Sequence, residues 1–189
     1  MPRSPLRTDD IVTETAPVVV WDVDRVLVPD VPTSAHHAHR YDGPGPLGTP
    51  VSGDVYLNPE HGTWIVELTK AGAAHAWATS WGQIAADWIA PRLGVPAAAN
   101  WPVIDVGTYS SIDWGWTSKA RPVQEFLGPD RPAYWIDDLF GGKEQGWAEE
   151  RSARGVPTVI RRIDSPAGLT RADIDAALIW LADVHRTRR

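Results

Sequence analysis

The sequence contains no cysteine, a single methionine and two phenylalanines. Without thiols there can be no disulfide scaffold, no thiolate nucleophile and no cysteine metal knot, so any metal must be held by oxygen or imidazole. Positive charge is also scarce. Eighteen Lys and Arg against 24 Asp and Glu leave a formal net charge of -6, and the arginines are scattered apart from Arg186, Arg188 and Arg189 near the end. Such a chain offers no basic field to a nucleic-acid backbone, and no nucleic-acid partner is expected. The apolar runs are short and broken by charge, and the opening MPRSPLRTDDIVTETA has no apolar segment of signal-peptide length. A cytoplasmic protein without a membrane partner is the expectation.

The 189 residues are 43% hydrophobic with regular Pro and Gly punctuation, which predicts one globular domain. A flexible leader over 1–15 and a single α/β domain over 16–186 are the expected boundaries. Ala16 to Trp21 reads APVVVW, a β-branched run of the kind buried on both faces of a sheet. The segment from Pro29 to Asp54, with GPGPLG inside it, predicts a surface excursion outside the sheet. Val55 to Leu57 and Thr63 to Leu68 flank the turn-like NPEHG and fit either a small hairpin or a strand leading into a helix.

Further on, AHAWAT predicts a second core strand, and Ile84, Trp88, Ile89 and Leu93 recur at helical spacing before Gly94. Val103 to Val106 fits a short strand, and a helix is expected from Ser118 to Gly128. PAYWI is the third clear strand, followed by a helix around Gln145 to Ala153 and a strand from Thr158 to Ile160. Thr170 with Asp173 three positions on has the form of a capping box for the last helix. Strands alternating with helices imply a mostly parallel sheet covered on both faces.

Ligands of open α/β sheets bind beyond the carboxyl ends of the strands. Asp22, Thr79 and Asp137 stand at three such ends. Asp22 and Asp24 are two apart, so in continued strand geometry their side chains leave on the same side of the backbone. Converging carboxylates suit Mg²⁺, which favours hard oxygen ligands.

WDVDRVL, ATS, a lysine at the start of a helix and YWIDD, in that order, resemble the four motifs of the haloacid dehalogenase-like superfamily. The resemblance spans Val18 to Ile160. It implies a Rossmann-like three-layer α/β/α core with little or no cap, and a magnesium-dependent phosphomonoester hydrolase acting through an aspartyl-phosphate. By position, Asp22 resembles the nucleophile, Asp24 the acid/base, Thr79 the phosphoryl-binding hydroxyl and Lys119 the balancing cation. Asp22, Asp24 through its main-chain carbonyl, Asp137 and Asp138 resemble the Mg²⁺ ligands. A reduced cap leaves the cleft open to a phosphorylated small molecule or a phosphoprotein.

Several alternatives stay open at this level. Ser80 or Trp81 could share the task of Thr79, and Lys143 is a rival to Lys119. Arg25 stands where the superfamily commonly has Gly, so either the backbone there accepts a side chain or the loop is distorted. His36, His37 and His39 lack a known metal-ligand spacing. Trp81, Trp114 and Trp116 are candidates for one wall of a pocket for a planar leaving group. A haloacid dehalogenase, a phosphotransferase and a non-catalytic binding or regulatory domain are the competing functions.

Overall fold

The computed structural model describes residues 16–45, 50–107 and 110–188. The expected leader, and part of the GPGPLG segment, lie outside the described residues. Strand β1 (Val18–Trp21) is buried along its whole length. It pairs in parallel with β4 (Ala74–Trp77) on one side and β7 (Ala133–Asp137) on the other, and β8 (Thr158–Arg162) follows in the order β4-β1-β7-β8. Trp21 lies opposite both Trp77 and Ile136. Alternation along these strands divides the core in two. Val19, Trp21, Tyr134 and Ile136 face one apolar cluster, while Val18, Val20, Ala76 and Trp135 face another.

Helices cover both faces. On the first lie α1 (Pro59–Lys70), with Ile65 and Leu68, and α4 (Arg171–Thr187), with Ile174, Ala177 and Leu181. On the second, α2 (Ala120–Leu127) contributes Val123 and Leu127, and α3 (Lys143–Ala153) contributes Trp147. The result is the three-layer α/β/α arrangement with a parallel central sheet.

Val55 to Leu57 ends a strand and Thr63 to Leu68 belongs to α1, so of the two expected forms the strand leading into a helix is the one found. Asn58 accepts the Glu60 N–H at 3.0 Å and Pro59 occupies the first turn, so the chain is committed to a helix before its β-branched residues arrive. Gly62 is required there, because a Cβ would lie 1.6 Å from the Leu93 carbonyl oxygen. The helical spacing after Thr79 is realised as a π-helical segment, Ala85–Ile89, running into one α-turn at Ala90–Arg92. Val103 makes only an isolated parallel bridge to Trp77, so the short strand expected from Val103 to Val106 is not formed. At the last helix Asp173 accepts the Thr170 N–H at 2.8 Å, the reciprocal contact that the Thr–Asp spacing predicted.

The surface excursion contains order that its composition conceals. β2 (His37–Pro44) and β3 (Pro50–Leu57) form an antiparallel ribbon separate from the main sheet. Buried Tyr41 pins it edge-on against Trp88 and Trp81, with ring centroids 4.9 and 5.7 Å away. A second ribbon, β5 (Ile112–Asp113) with β6 (Trp116–Thr117), turns through Trp114 and Gly115, both at positive φ.

His75 on β4 is buried in a complete proton chain. The Trp21 indole N–H donates to His75 Nδ1 at 3.0 Å, His75 Nε2 lies 2.9 Å from the Thr69 hydroxyl, and that hydroxyl donates to the Ile65 carbonyl at 3.0 Å. Only the neutral ring with its proton on Nε2 satisfies all three contacts. Burial pushes its pKa down to about 3. With the folded pKa below the unfolded one, this contribution to stability is present above about pH 6.5 and is lost as pH falls. In His75→Gln, whose amide can keep both contacts without titrating, the drop in unfolding free energy from pH 7 to pH 5 should be smaller by about 2 kcal/mol. Urea titrations of both proteins at the two pH values measure it, and equal drops would rule it out.

Candidate active site

The sheet register sets the site. Since Trp21 lies opposite Trp77 and Ile136, the next residues outward along the three strands are Asp22, Ala78 and Asp137. The ladder continues through them, with the Asp22 N–H donating to the Ile136 carbonyl at 3.1 Å and the Ala78 N–H to the Trp21 carbonyl at 2.8 Å. Asp22, Asp137 and, one step beyond Ala78, Thr79 therefore share the carboxyl edge of the sheet, and all three are buried.

Lys119 directly precedes α2, and its ammonium group lies 2.7 Å from Asp22 Oδ2 and 2.8 Å from Asp137 Oδ2. Its side chain is 2% exposed, whereas the rival Lys143 is exposed on α3. The segment leading to Lys119 is anchored from the far side, because the buried carboxylate of Glu144 accepts the Thr117 N–H. Gly141, in the loop after Asp138, lies against the Gly115 carbonyl so closely that a Cβ would sit 2.1 Å from its oxygen. Lysine segment and acidic loop are thereby locked together.

Asp22, Asp137 and Asp138 each offer a carboxylate oxygen, all within 4.8 Å of one another. It is the one such group among the described residues, and no histidine belongs to it. The Asp24 carboxylate stands apart from it. Trp81 Nε1 donates to Asp24 Oδ1 at 2.8 Å and the Ser80 hydroxyl to Oδ2 at 3.4 Å, so this side chain is turned toward the β4 loop. The expectation that Asp22 and Asp24 direct their carboxylates into one metal site does not hold for Asp24, because the chain turns straight after it.

That turn passes through Arg25, which adopts φ of 59°. Its N–H donates to the Val28 carbonyl at 2.7 Å, and the N–H groups of Leu27 and Val28 both reach the Val23 carbonyl at 2.9 Å. A left-handed non-glycine residue costs roughly 1–2 kcal/mol, so the backbone demand usually met by Gly is present here and is met by Arg. The guanidinium group bridges Asp30 at 2.7 Å and Asp138 at 3.1 Å.

The electrostatics leave the site short of positive charge. Burial and the charge of Asp22 raise the pKa of Asp137 against the pull of Lys119. The same two causes raise Asp138 against Arg25. Burial alone would lower Lys119, but the facing carboxylates of Asp137 and Asp22 outweigh it and keep the ammonium charged. Asp24 is raised chiefly by burial and secondarily by Asp22, with the Trp81 hydrogen bond opposing. The shift favours the protonated form that a general acid requires.

The three tryptophans do not share one wall. Trp81 holds Asp24, Trp116 packs against the second core cluster, and Trp114 is 92% exposed at the tip of its ribbon. His36 contacts Thr33 and His61, while on β2 His37 lies exposed and His39 half-buried. The contacts of Trp81 and Ser80 with Asp24 were not foreseen, since their position beside Thr79 suggested only a share in its task. Nothing in the sequence signalled that Glu144, an ordinary first-turn acid of α3, would be buried.

No protein-family model matches the chain, and no curated protein matches it. What fold and site define is a parallel-sheet α/β protein with a buried Asp–Lys–Asp cluster, consistent with a haloacid dehalogenase-like core. The cluster is of a catalytic type. Among the described residues no helix is long and apolar enough to cross a membrane.

Proposed function

We propose that this chain is a magnesium-dependent phosphomonoester hydrolase that works through an aspartyl-phosphate on Asp22. The observation that carries the proposal is the buried Lys119 ammonium shared by Asp22 and Asp137, with Asp138 completing three close carboxylates. The donor set fits Mg²⁺: it is all hard oxygen, it contains no imidazole or thiolate, and its charge is incompletely balanced by Lys119. Asp22, Asp137 and Asp138 would hold the ion with the main-chain carbonyl of Asp24. Bound there, the ion supplies Lewis-acid neutralisation of the phosphoryl charge.

The residues of the chain account for the rest. A carboxylate oxygen of Asp22 attacks phosphorus as the bond to the leaving oxygen breaks, and the proton on Asp24 passes to that oxygen. Asp24, now ionised, takes a proton from water, whose oxygen displaces Asp22 from phosphorus and releases inorganic phosphate. Lys119 orients Asp22 and offsets its charge through both steps. Thr79 supplies a buried hydroxyl at the same sheet edge for a phosphoryl oxygen.

Hydrolysis of p-nitrophenyl phosphate is expected with Mg²⁺ and should fall at least about a hundredfold on complete chelation, the scale lost with a key electrostatic group. Readdition of Mg²⁺ should restore it. Undiminished turnover after chelation would remove the metal from the proposal.

A further inference from the structure

Beside Thr79 lies a cavity of about 410 Å³ between the β4 loop and the segment 103–107, with Gly45, directly after β2, at its border. We infer that this cavity receives the leaving group and that it takes a small alcohol bearing no negative charge of its own. The inference rests on the phosphatase proposal and adds the class of substrate.

Location carries the first part. The leaving oxygen must lie beside the Asp24 carboxyl that protonates it, and the two groups that hold this carboxyl, Ser80 and Trp81, both line the cavity. Thr79, the phosphoryl-side residue, lines it as well. A substrate with its phosphoryl group at the sheet edge thus finds an open volume on the side of Asp24. The walls are built firmly. Trp77 accepts the Ile104 N–H at 2.8 Å and donates its own N–H to the Pro102 carbonyl at 2.8 Å, which fixes the far segment against β4. Tyr41 fixes the ribbon against Trp81.

Size and charge carry the second part. The volume is near the lower end of small-molecule sites, enough for a polyol or amino alcohol and too small for a folded partner. Among the described residues the lining includes no lysine, arginine or histidine, and its one acidic group is Asp105. That carboxylate is fixed by the Gly107 N–H, which donates to its Oδ1 at 3.2 Å. Arg25, the cation at the nucleophile loop, is engaged by Asp30 and Asp138 and is not part of the lining. A carboxylate or second phosphate on the leaving group would meet Asp105 with no cation among the described lining residues to offset it, whereas hydroxyl or ammonium groups would find acceptors. Exclusion by an unfavourable charge is an effective source of specificity.

The test compares kcat/KM for glycerol 3-phosphate and 3-phosphoglycerate, which differ in a carboxylate, by phosphate release. Wild type, Asp105→Asn and Asp105→Lys are used, with p-nitrophenyl phosphate as the reference substrate. The wild type should favour glycerol 3-phosphate about tenfold or more, the scale of one repulsive pair near a protein surface. Asp105→Asn, which keeps an oxygen for the Gly107 N–H, should narrow the ratio, and Asp105→Lys should abolish or invert it. Turnover of p-nitrophenyl phosphate with a ratio unchanged across the three proteins, or a wild-type preference for 3-phosphoglycerate, would overturn the pocket assignment alone. Failure to turn over any of the three substrates would overturn the phosphatase proposal, and this inference with it.

Discussion

Asp22→Asn should abolish hydrolysis, with a loss of roughly 10⁴-fold or more, as expected when the nucleophile of a covalent mechanism is removed. The replacement is nearly isosteric, and its amide oxygen can still accept the Val23 N–H now held by Asp22 Oδ1 at 2.8 Å. Folding should therefore survive while attack on phosphorus fails. Asp24→Asn should fail differently. With p-nitrophenyl phosphate the leaving group needs little protonation, so the first step proceeds, but the water that completes the cycle has lost its base. A burst of p-nitrophenol approaching one equivalent of enzyme should be followed by slow turnover, and the phosphorylated protein should accumulate. Borohydride trapping followed by peptide mass spectrometry locates the modified residue. A label on Asp24, or fast turnover by Asp22→Asn, would move the nucleophile elsewhere.

Lys119→Met should be costly for both folding and chemistry. It removes the cation 2.7 and 2.8 Å from two carboxylates that have almost no contact with solvent. Breaking a buried pair by deleting one partner costs about 3–5 kcal/mol, and loss of the charge-offsetting group should lower kcat at least about a hundredfold. The stability loss should depend on pH in a defined sense. Burial and Asp22 already raise Asp137, and deletion of Lys119 removes the charge that opposes them. A carboxyl with a raised folded pKa contributes its stability at low pH and loses it as pH rises through the folded value. The penalty should therefore be larger at pH 8 than at pH 5 by urea titration. A uniform loss across this range would mean that the ion pair has no such electrostatic role.

Much of the central sheet was legible because its strands are buried on both faces, which leaves continuous apolar runs such as VVVW and AYWI rather than an alternation. The acids that follow them stood out by contrast. Lys119 was legible only through the resemblance, since a single lysine before a helix carries no spacing information. The β2–β3 ribbon was missed as a pair of strands because most of its residues are exposed, so no periodic apolar face marked it. Thr63 to Leu68 left a hairpin and a strand-to-helix passage both open because of its β-branched content, and the Asn–Pro start of α1 is what selects the second. The orientation of Asp24 was hidden for a geometric reason. A period of two predicts a shared face with Asp22 only while the strand persists, and the positive φ at Arg25 shows how soon it ends.

The continuation of the ladder past Trp21 has a consequence for motion. The Asp22 amide is tied to one neighbouring strand and the Trp21 carbonyl to the other, so the backbone of Asp22 cannot slide relative to Asp137 or the β4 loop unless the sheet opens. Openings of core strands approach the free energy of global unfolding and are rare on the timescale of a catalytic cycle. On the proposed mechanism, attack geometry is thus inherited from folding and does not have to be assembled at each turnover. On that mechanism, whatever rearranges to admit substrate and release phosphate must do so in the connecting segments around this edge, while the backbone that carries Asp22 stays still.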